Sequence, residues 1–309
     1  MELYSMILAA GEGKRMKSNH AKPLQMAAGK PLIDWVLGAV TEAGIDQSIV
    51  VVGHKAEEIE AYLGEKVIYT YQREQLGTGH AVMQGIEPIR DQSGTVMVLC
   101  GDTPLIQTET LQKALAVHCG ENRAATVITA VAENPFGYGR IVRENGKMTR
   151  IVEQKDASEA EQAIREINAG MYLFDIQKLT AALGKLHNDN AQGEYYLTDV
   201  IGILIDSGET VDTYIAEMEE TMGVNDRIQL AEAERLLNAR MVQKLMLEGA
   251  CILDPASVRV EAGVKVGRDT VIYPNTILEG TTQIGEECVI GPNTRLQNCV
   301  IGDQTQVQY

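Results

Sequence analysis

The residues best able to do chemistry lie near the start of the chain, in Leu8-Ala9-Ala10-Gly11-Glu12-Gly13-Lys14-Arg15-Met16 and Lys22-Pro23-Leu24. A glycine-bearing turn leaves backbone N–H groups free to surround a phosphate, and Lys14, Arg15 and Lys22 put three cations into one loop. The chain has 309 residues, with 43 acidic against 27 basic side chains and a formal charge of −16. Positive charge concentrated in so acidic a protein needs a reason, and phosphate supplies one. Neither familiar phosphate fingerprint fits. After Gly11 and Gly13 the third glycine of a dinucleotide loop is replaced by Met16. A Walker loop fails at Leu8 and again at Arg15. Glycines in such a turn serve a plain tight turn as readily as a phosphate.

Four further stretches carry candidate groups. Gln72-Arg73-Glu74-Gln75-Leu76-Gly77-Thr78-Gly79-His80 joins a strand to a helix. Its amides offer both donor and acceptor, as reading a base edge requires, although Thr78 near a helix start also suits a cap. His80 reads as structural. Cys100-Gly101-Asp102 closes a strand with one carboxylate, which is a place for Mg²⁺ beside phosphate oxygens or simply a turn former. Gly139, Glu153 and Asn168 stand at strand ends. Gly193-Glu194-Tyr195-Tyr196-Leu197-Thr198-Asp199 leads into an apolar helix and reads either as a cap or as an aromatic wall for a sugar.

The elements that must position these groups follow from the periodicity. Met6-Ile7-Leu8, Ile49 to Val52, Val67 to Tyr71 and Val96 to Leu99 are short apolar runs that read as buried strands. They alternate with a helix that has Pro31 at its first helical position and with helices over 56–63 and over 79–86. This βαβ rhythm implies an α/β fold with a mostly parallel sheet, whose ligands bind beyond the carboxyl ends of the strands. The loop after Leu8, Gln72 and Asp102 all fall at that edge. From about Ala125 the pattern changes to an antiparallel extension: a strand over 126–131, a hairpin around Asn145-Gly146, strands over 170–174 and 211–215, and a helix over 197–206. A helix over 227–248 has Ile228, Ala231, Leu236, Leu237, Val242 and Leu245 as its apolar positions and spans about 30 Å at roughly 1.5 Å per residue.

The last 60 residues repeat. Val260, Val266, Ile272, Leu278, Ile284, Ile290 and Leu296 recur every six positions, and a second column runs through Val258, Val264, Thr270, Thr276, Thr282, Cys288, Thr294 and Val300. A period of six fits a left-handed parallel β-helix, with three hexads to a triangular coil. The register slips once, where Ile301 follows Leu296 by five. Cys288 and Cys299 read as small wall residues. The five cysteines show no C-x-x-C spacing, so reduced thiols in a cytoplasmic protein are expected. No signal-peptide pattern opens the chain, and no apolar run approaches the roughly 20 residues of a membrane span. The acidic balance argues against nucleic acid and anionic membrane partners.

The pattern L-A-A-G-x-G-x-R-M followed by K-P resembles the signature of the sugar-1-phosphate nucleotidyltransferases. The blocks Q-L-G-T-G-H, G-D-T-P-L, G-Y-G-R-I, I-V-E-Q-K-D-A, E-I-N-A-G, N-A-Q-G-E-Y-Y-L-T-D and G-V-N-D-R follow in one order, ahead of the long helix and the hexads. Together they resemble the bacterial bifunctional N-acetylglucosamine-1-phosphate uridyltransferase/glucosamine-1-phosphate N-acetyltransferase family over essentially the whole chain. The resemblance implies a Rossmann-like nucleotide-diphospho-sugar transferase domain over 1–226, a connecting helix over 227–249 and a partial β-helix over 250–309. It implies transfer of UMP from UTP to N-acetylglucosamine 1-phosphate, giving UDP-N-acetylglucosamine and pyrophosphate.

Carried over by position, the resemblance gives Leu8, Ala9, Ala10, Gly11, Lys22, Gln72, Gly77, Thr78, Cys100, Gly101 and Asp102 to the nucleotide. Gly139, Glu153, Asn168, Glu194 and Asn225 go to the sugar, Arg15 and Lys22 to catalysis by charge neutralisation, and Asp102 and Asn225 to Mg²⁺. Cys100 departs from relatives that have tyrosine before Gly-Asp. Family members continue through further coils that carry acetyl transfer. All five histidines here lie at or before His187, so acetyltransferase activity is expected to be absent from what reads as a C-terminally truncated member. A homotrimer is expected from the β-helix. The rival readings are a glucose 1-phosphate pyrophosphorylase, a hexapeptide acyltransferase and a non-catalytic nucleotide-sugar-binding subunit.

Overall fold

The computed structural model describes residues 2–308. The chain forms two compact units. One holds the residues up to Gln25 together with Leu32–Asn225, and the other holds Met26–Pro31 together with everything from Asp226 onward.

The first unit opens with β1 (Glu2–Ala9); the short pair that follows, β2 (Met26–Ala27) and β3 (Lys30–Pro31), belongs to the second unit. Then come α1 (Leu32–Glu42), β4 (Gln47–Val52), α2 (Ala56–Leu63), β5 (Ile68–Tyr71), α3 (Thr78–Gly85), β6 (Gly94–Cys100) and α4 (Thr108–Gly120). The second half adds β7 (Ala125–Val131), β8 (Arg140–Glu144), β9 (Lys147–Val152), α5 (Glu159–Gln162), β10 (Glu166–Asp175), α6 (Ile176–Leu183), α7 (Thr198–Asp206) and β11 (Val211–Ile215).

Seven strands lie in the order β11-β7-β10-β6-β1-β4-β5, with β8 paired to β10 and β9 to β8. β1 is parallel to β4 and β6, whereas β10 runs antiparallel to β6 and β7, so the sheet is mixed. Both faces are covered, which is why the central strands are apolar on both sides. Along β1, Tyr4 and Met6 point to a core shared with α3, α6 and α7. Ile7 and Ala9 point to the core shared with α1, α2 and α4. The buried Ser5 and Ser48 hydroxyls meet at 2.8 Å across the β1–β4 pair and mark its register. Asn145 (φ 49°) and Gly146 (φ 80°) turn the β8–β9 hairpin. Pro31 ends β3, and α1 begins one residue later than the sequence suggests. The last strand before α6 is longer than expected, because a bulge between Asn168 and Met171 divides its pairing with β7.

The second unit contains α8 (Arg227–Leu247), the β2–β3 pair and ten short strands from Cys251–Ile252 to Gln306–Val307. These ten strands form three parallel sheets, the walls of the hexapeptide β-helix. Successive coils pair Arg259 with Ile277 and Ile277 with Arg295, while the slip in the hexads appears as Gln283 against Val300. Ile272, Leu278 and Ile290 fill the axis, and Thr270, Thr276, Thr282 and Cys288 are fully buried at the corners. The α8 pattern needs a correction. Ile228 is 83% exposed and Ala231 is exposed too; of the expected positions Leu237, Val242 and Leu245 are buried, and Ala233 joins them.

Candidate active site

Where β1, β5 and β6 end, a cavity of about 290 Å³ opens. Leu8, Ala9, Ala10 and Gly11 form one wall, Gln72, Gly77 and Thr78 another, and Lys22, Cys100, Asp102 and Glu194 complete it. Ten of the eleven residues assigned above to the nucleotide therefore meet in one place. The eleventh, Gly101, sits behind the wall, where its N–H donates to the Leu8 carbonyl at 2.9 Å and ties the end of β6 to β1. Pro23, Gln75 and Ala81 also line the cavity and were not singled out from the sequence. Gln75 lies three residues from Gln72 in the same segment and Pro23 directly follows Lys22, so their neighbours were the available signal.

Local chemistry explains the walls. Gln72 is buried. Its side-chain amide N–H₂ donates to the Gly77 carbonyl at 2.9 Å and lies 3.3 Å from His80 Nδ1, while His80 Nδ1 lies 3.0 Å from the Glu74 carbonyl. Among the described residues the Gln72 carbonyl oxygen has no partner, which leaves an acceptor on a cavity-lining side chain. Gly77 has φ 101° and ψ 175°. A Cβ there would stand 2.6 Å from the Tyr195 carbonyl oxygen, so only glycine fits. Gly79 N–H donates to the Tyr195 carbonyl and Tyr195 N–H to the Leu76 carbonyl, both at 2.8 Å, and this pairing brings Glu194 to the cavity. Thr78 is not a cap: its hydroxyl accepts from Leu197 N–H at 3.3 Å, and Gly77 occupies the N-cap position. Neither Tyr195 nor Tyr196 lines the cavity. Tyr196 is buried and accepts from Gln192 at 2.9 Å, and Tyr195 lies beside the His80 ring.

The charged groups converge at the floor. The Lys22 ammonium donates to Asp102 Oδ2 and to Asn225 Oδ1, the latter at 3.2 Å. Val224 N–H donates to the Asp102 carbonyl at 2.8 Å, which holds the Asn225 segment beside the end of β6. Two hard oxygen donors from distant parts of the chain thus face one cation, a donor set that suits a divalent ion also bound by phosphates. Among the described residues no group of three or more His, Cys, Asp or Glu side chains is placed to hold a metal by itself. Arg15 is exposed on the 3₁₀ turn Lys14–Met16 and does not line the cavity. Burial pushes the Cys100 thiol up to about 12, with Asp102 adding to the shift and Lys22 opposing it. The thiol therefore stays protonated and is no nucleophile.

Gly139, Glu153 and Asn168 form a second group. A Cβ on Gly139 would lie 3.4 Å from Asn168 Cβ and 3.5 Å from Glu153 Oε2. Asn168 donates to the Tyr172 hydroxyl at 2.7 Å and accepts from Gly170 N–H at 3.0 Å, which pins the bulge in β10. The Gly170 carbonyl in turn accepts from the Cys100 thiol at 3.7 Å, so this group adjoins the cavity wall. Burial raises the Glu153 carboxyl above its usual range, while the Thr198 hydroxyl, donating at 3.1 Å, favours the charged form. Asn225 falls with the oxygen donors at Lys22, and Glu194 with the cavity wall of Gln72, Gly77 and Thr78, rather than with this group.

Residues 4–222 match the nucleotidyl transferase family, and residues 263–298 match the bacterial transferase hexapeptide family of six repeats. The chain is 51% identical to the bifunctional protein GlmU of Geobacillus sp. (strain WCH70) over 308 residues, which is 99% of this chain and 67% of that protein. It is 50% identical to the bifunctional protein GlmU of Caldanaerobacter subterraneus subsp. tengcongensis over 309 residues, 100% of this chain and 67% of that protein. It is 51% identical to the protein of the same name from Acetivibrio thermocellus over 308 residues, 99% and 67% of the two chains.

Proposed function

The chain belongs to the nucleotidyl transferase family and is a homologue of the bifunctional GlmU proteins, and from that premise we propose that it transfers UMP from UTP to N-acetylglucosamine 1-phosphate. A phosphate oxygen of the sugar phosphate attacks the α-phosphorus of UTP. The bond from that phosphorus to the bridging oxygen breaks, pyrophosphate leaves, and UDP-N-acetylglucosamine remains. The observation that carries the reading is the meeting of Lys22, Asp102 and Asn225 at the floor of a cavity walled by the Leu8–Gly11 loop and Gln72.

The substrate brings its own nucleophile, so the chain has to position the reactants and balance charge. Backbone N–H groups after β1 and the Lys22 ammonium meet the phosphates, and Arg15 swings in from the adjoining turn to meet the leaving pyrophosphate. The Gln72 carbonyl oxygen accepts the ring N–H of uracil; cytosine and adenine present a bare ring nitrogen there and are disfavoured. Glu153 accepts sugar hydroxyls, and the second amide hydrogen of Asn168, not used by Tyr172, is free to donate. Asp102 and Asn225 would hold Mg²⁺, which supplies charge neutralisation across the reacting phosphates.

On this reading residues up to 226 carry the transfer, α8 leads into the partial β-helix, and the protein works in the cytoplasm as a homotrimer. Among the described residues no helix is long and apolar enough to cross a membrane. With no histidine after His187, acetyl-CoA with glucosamine 1-phosphate is the pair expected to give no turnover. A panel of sugar 1-phosphates and nucleotides tests the substrate assignment. N-acetylglucosamine 1-phosphate with UTP is expected to lead it, and preference for glucose 1-phosphate would replace the proposal with the rival pyrophosphorylase.

A further inference from the structure

Lys22 is expected to meet phosphate, yet its ammonium is bonded to Asp102 and Asn225, the two oxygen donors that would hold the divalent ion. The three residues come from the turn after β1, the end of β6 and the segment before α8. Asp102 is 80 positions and Asn225 203 positions from Lys22, so their convergence is a product of the fold. The Lys22 and Asp102 side chains are each 16% exposed, and water screens such a pair only weakly. A divalent ion held by Asp102 and Asn225 would contact the same oxygens as the ammonium, and two cations drawn to one pair of oxygens repel each other. The ammonium and the ion therefore compete for the site.

Resting on the proposed reading, we propose that Lys22 is a built-in counter-cation of the metal site. It competes with free divalent ions for Asp102 and Asn225 and gives way only when a nucleotide's phosphates draw the ammonium off. Two features allow the exchange. The Asp102–Asn225 pairing is set by the backbone bond from Val224 N–H to the Asp102 carbonyl at 2.8 Å, so the donor pair does not depend on Lys22 for its place. The Lys22 backbone is held in its 3₁₀ turn by Gln25 N–H donating to the Lys22 carbonyl at 3.1 Å. The long side chain can then swing from carboxylate to phosphate without moving the chain. The consequence is that metal enters with the nucleotide and binds poorly alone, which keeps adventitious ions out of a site with few protein ligands.

The test is Mn²⁺ binding without nucleotide, followed by the electron paramagnetic resonance signal of the free ion. Lys22→Met removes the charge and keeps the stem, and is expected to bind Mn²⁺ about tenfold tighter than wild type, the scale of one hydrogen bond to a charged group. Lys22→Arg keeps a cation and is expected to bind as weakly as wild type. Adding Asp102→Asn to Lys22→Met is expected to erase the gain. Equal Mn²⁺ affinity in wild type and Lys22→Met overturns the proposal, as does a gain that survives Asp102→Asn. Pyrophosphate release by the same wild-type preparation keeps the two readings apart: turnover with no Mn²⁺ gain removes the competition alone, and absence of turnover removes the uridyl-transfer reading.

Discussion

Replacing Gly77 by alanine tests whether the Gln72 wall of the cavity is held by the contact between residues 76–79 and 194–195. At φ 101° and ψ 175° Gly77 occupies a region closed to other residues, at a cost of about 1–3 kcal/mol for a side chain. The new methyl would also lie 2.6 Å from the Tyr195 carbonyl oxygen and 2.9 Å from Glu194 Cβ. Tyr195 cannot simply retreat, since it is fixed to Leu76 and Gly79 by two backbone hydrogen bonds of 2.8 Å. Overpacking of this kind adds about 1–3 kcal/mol, for a total of roughly 2–6 kcal/mol. That corresponds to a melting temperature lower by roughly 5–15 °C, with a raised KM for UTP because Gln72 donates to the Gly77 carbonyl. Gly11→Ala is the control. A Cβ at Gly11 meets nothing within 4 Å, so stability should change by no more than about 0.5 kcal/mol, while KM for UTP rises as the methyl enters the phosphate loop. Thermal unfolding and UTP kinetics on both variants decide the matter. A Gly77→Ala protein that melts and binds UTP like wild type would refute the reasoning.

Three further outcomes follow from the same physics. His118 is buried beside the Thr126 hydroxyl, and burial pushes it down to about 4, with Arg123 adding to the shift and Asp175 opposing it. The unfolded chain then takes up the proton first, so His118 contributes full stability above about pH 6.5 and loses about 3 kcal/mol as pH falls to about 4; denaturant unfolding of wild type and His118→Gln across that range should differ by this slope. In the β-helix, Thr270 donates to the Gly285 carbonyl at 2.7 Å, whereas the buried Thr294 hydroxyl has no partner among the described residues. Thr270→Val should therefore destabilise by about 1–3 kcal/mol and Thr294→Val should be neutral or stabilising, as read by melting of the two variants. Arg140 is 1% exposed, and one of its NH₂ groups donates to Gln154 at 2.7 Å; Arg140→Ala loses that bond and leaves a cavity, and should cost about 2–5 kcal/mol, visible as loss of folded protein at moderate urea.

Much of this was legible in the sequence because the informative signals are local. The apolar run of β1, the loop at Gly11, the Asn145-Gly146 turn and the six-residue columns each depend on neighbours a few positions apart. Sequence order also set Gln72 and Asp102 at strand ends, and the parallel sheet then brought those ends together. What stayed hidden is long-range. No spacing rule announces that Lys22 is bonded to residues 80 and 203 positions away. Residues 26–31 group with the C-terminal unit, although they lie within the run read as one domain, because Ala28 N–H donates to Glu234 and Ala262 N–H to the Ala28 carbonyl. Thr78 looked like a cap because capping chemistry and a tertiary bond to Leu197 use the same hydroxyl. The paired tyrosines lie away from the cavity at Lys22; Tyr196, although buried, lines a separate hollow with Glu153 and Thr198. The roles given to Gly139, Glu153 and Asn168 came from resemblance alone, since isolated strand-end residues carry no pattern of their own.

The central claim is metal-assisted uridyl transfer at the Lys22–Asp102–Asn225 site, and pyrophosphate release from UTP with N-acetylglucosamine 1-phosphate tests it most directly. Release is expected with Mg²⁺, should stop with EDTA, and should be nearly lost in Asp102→Ala with the fold intact by circular dichroism. Release that continues in EDTA, or undiminished release by Asp102→Ala, would contradict the account.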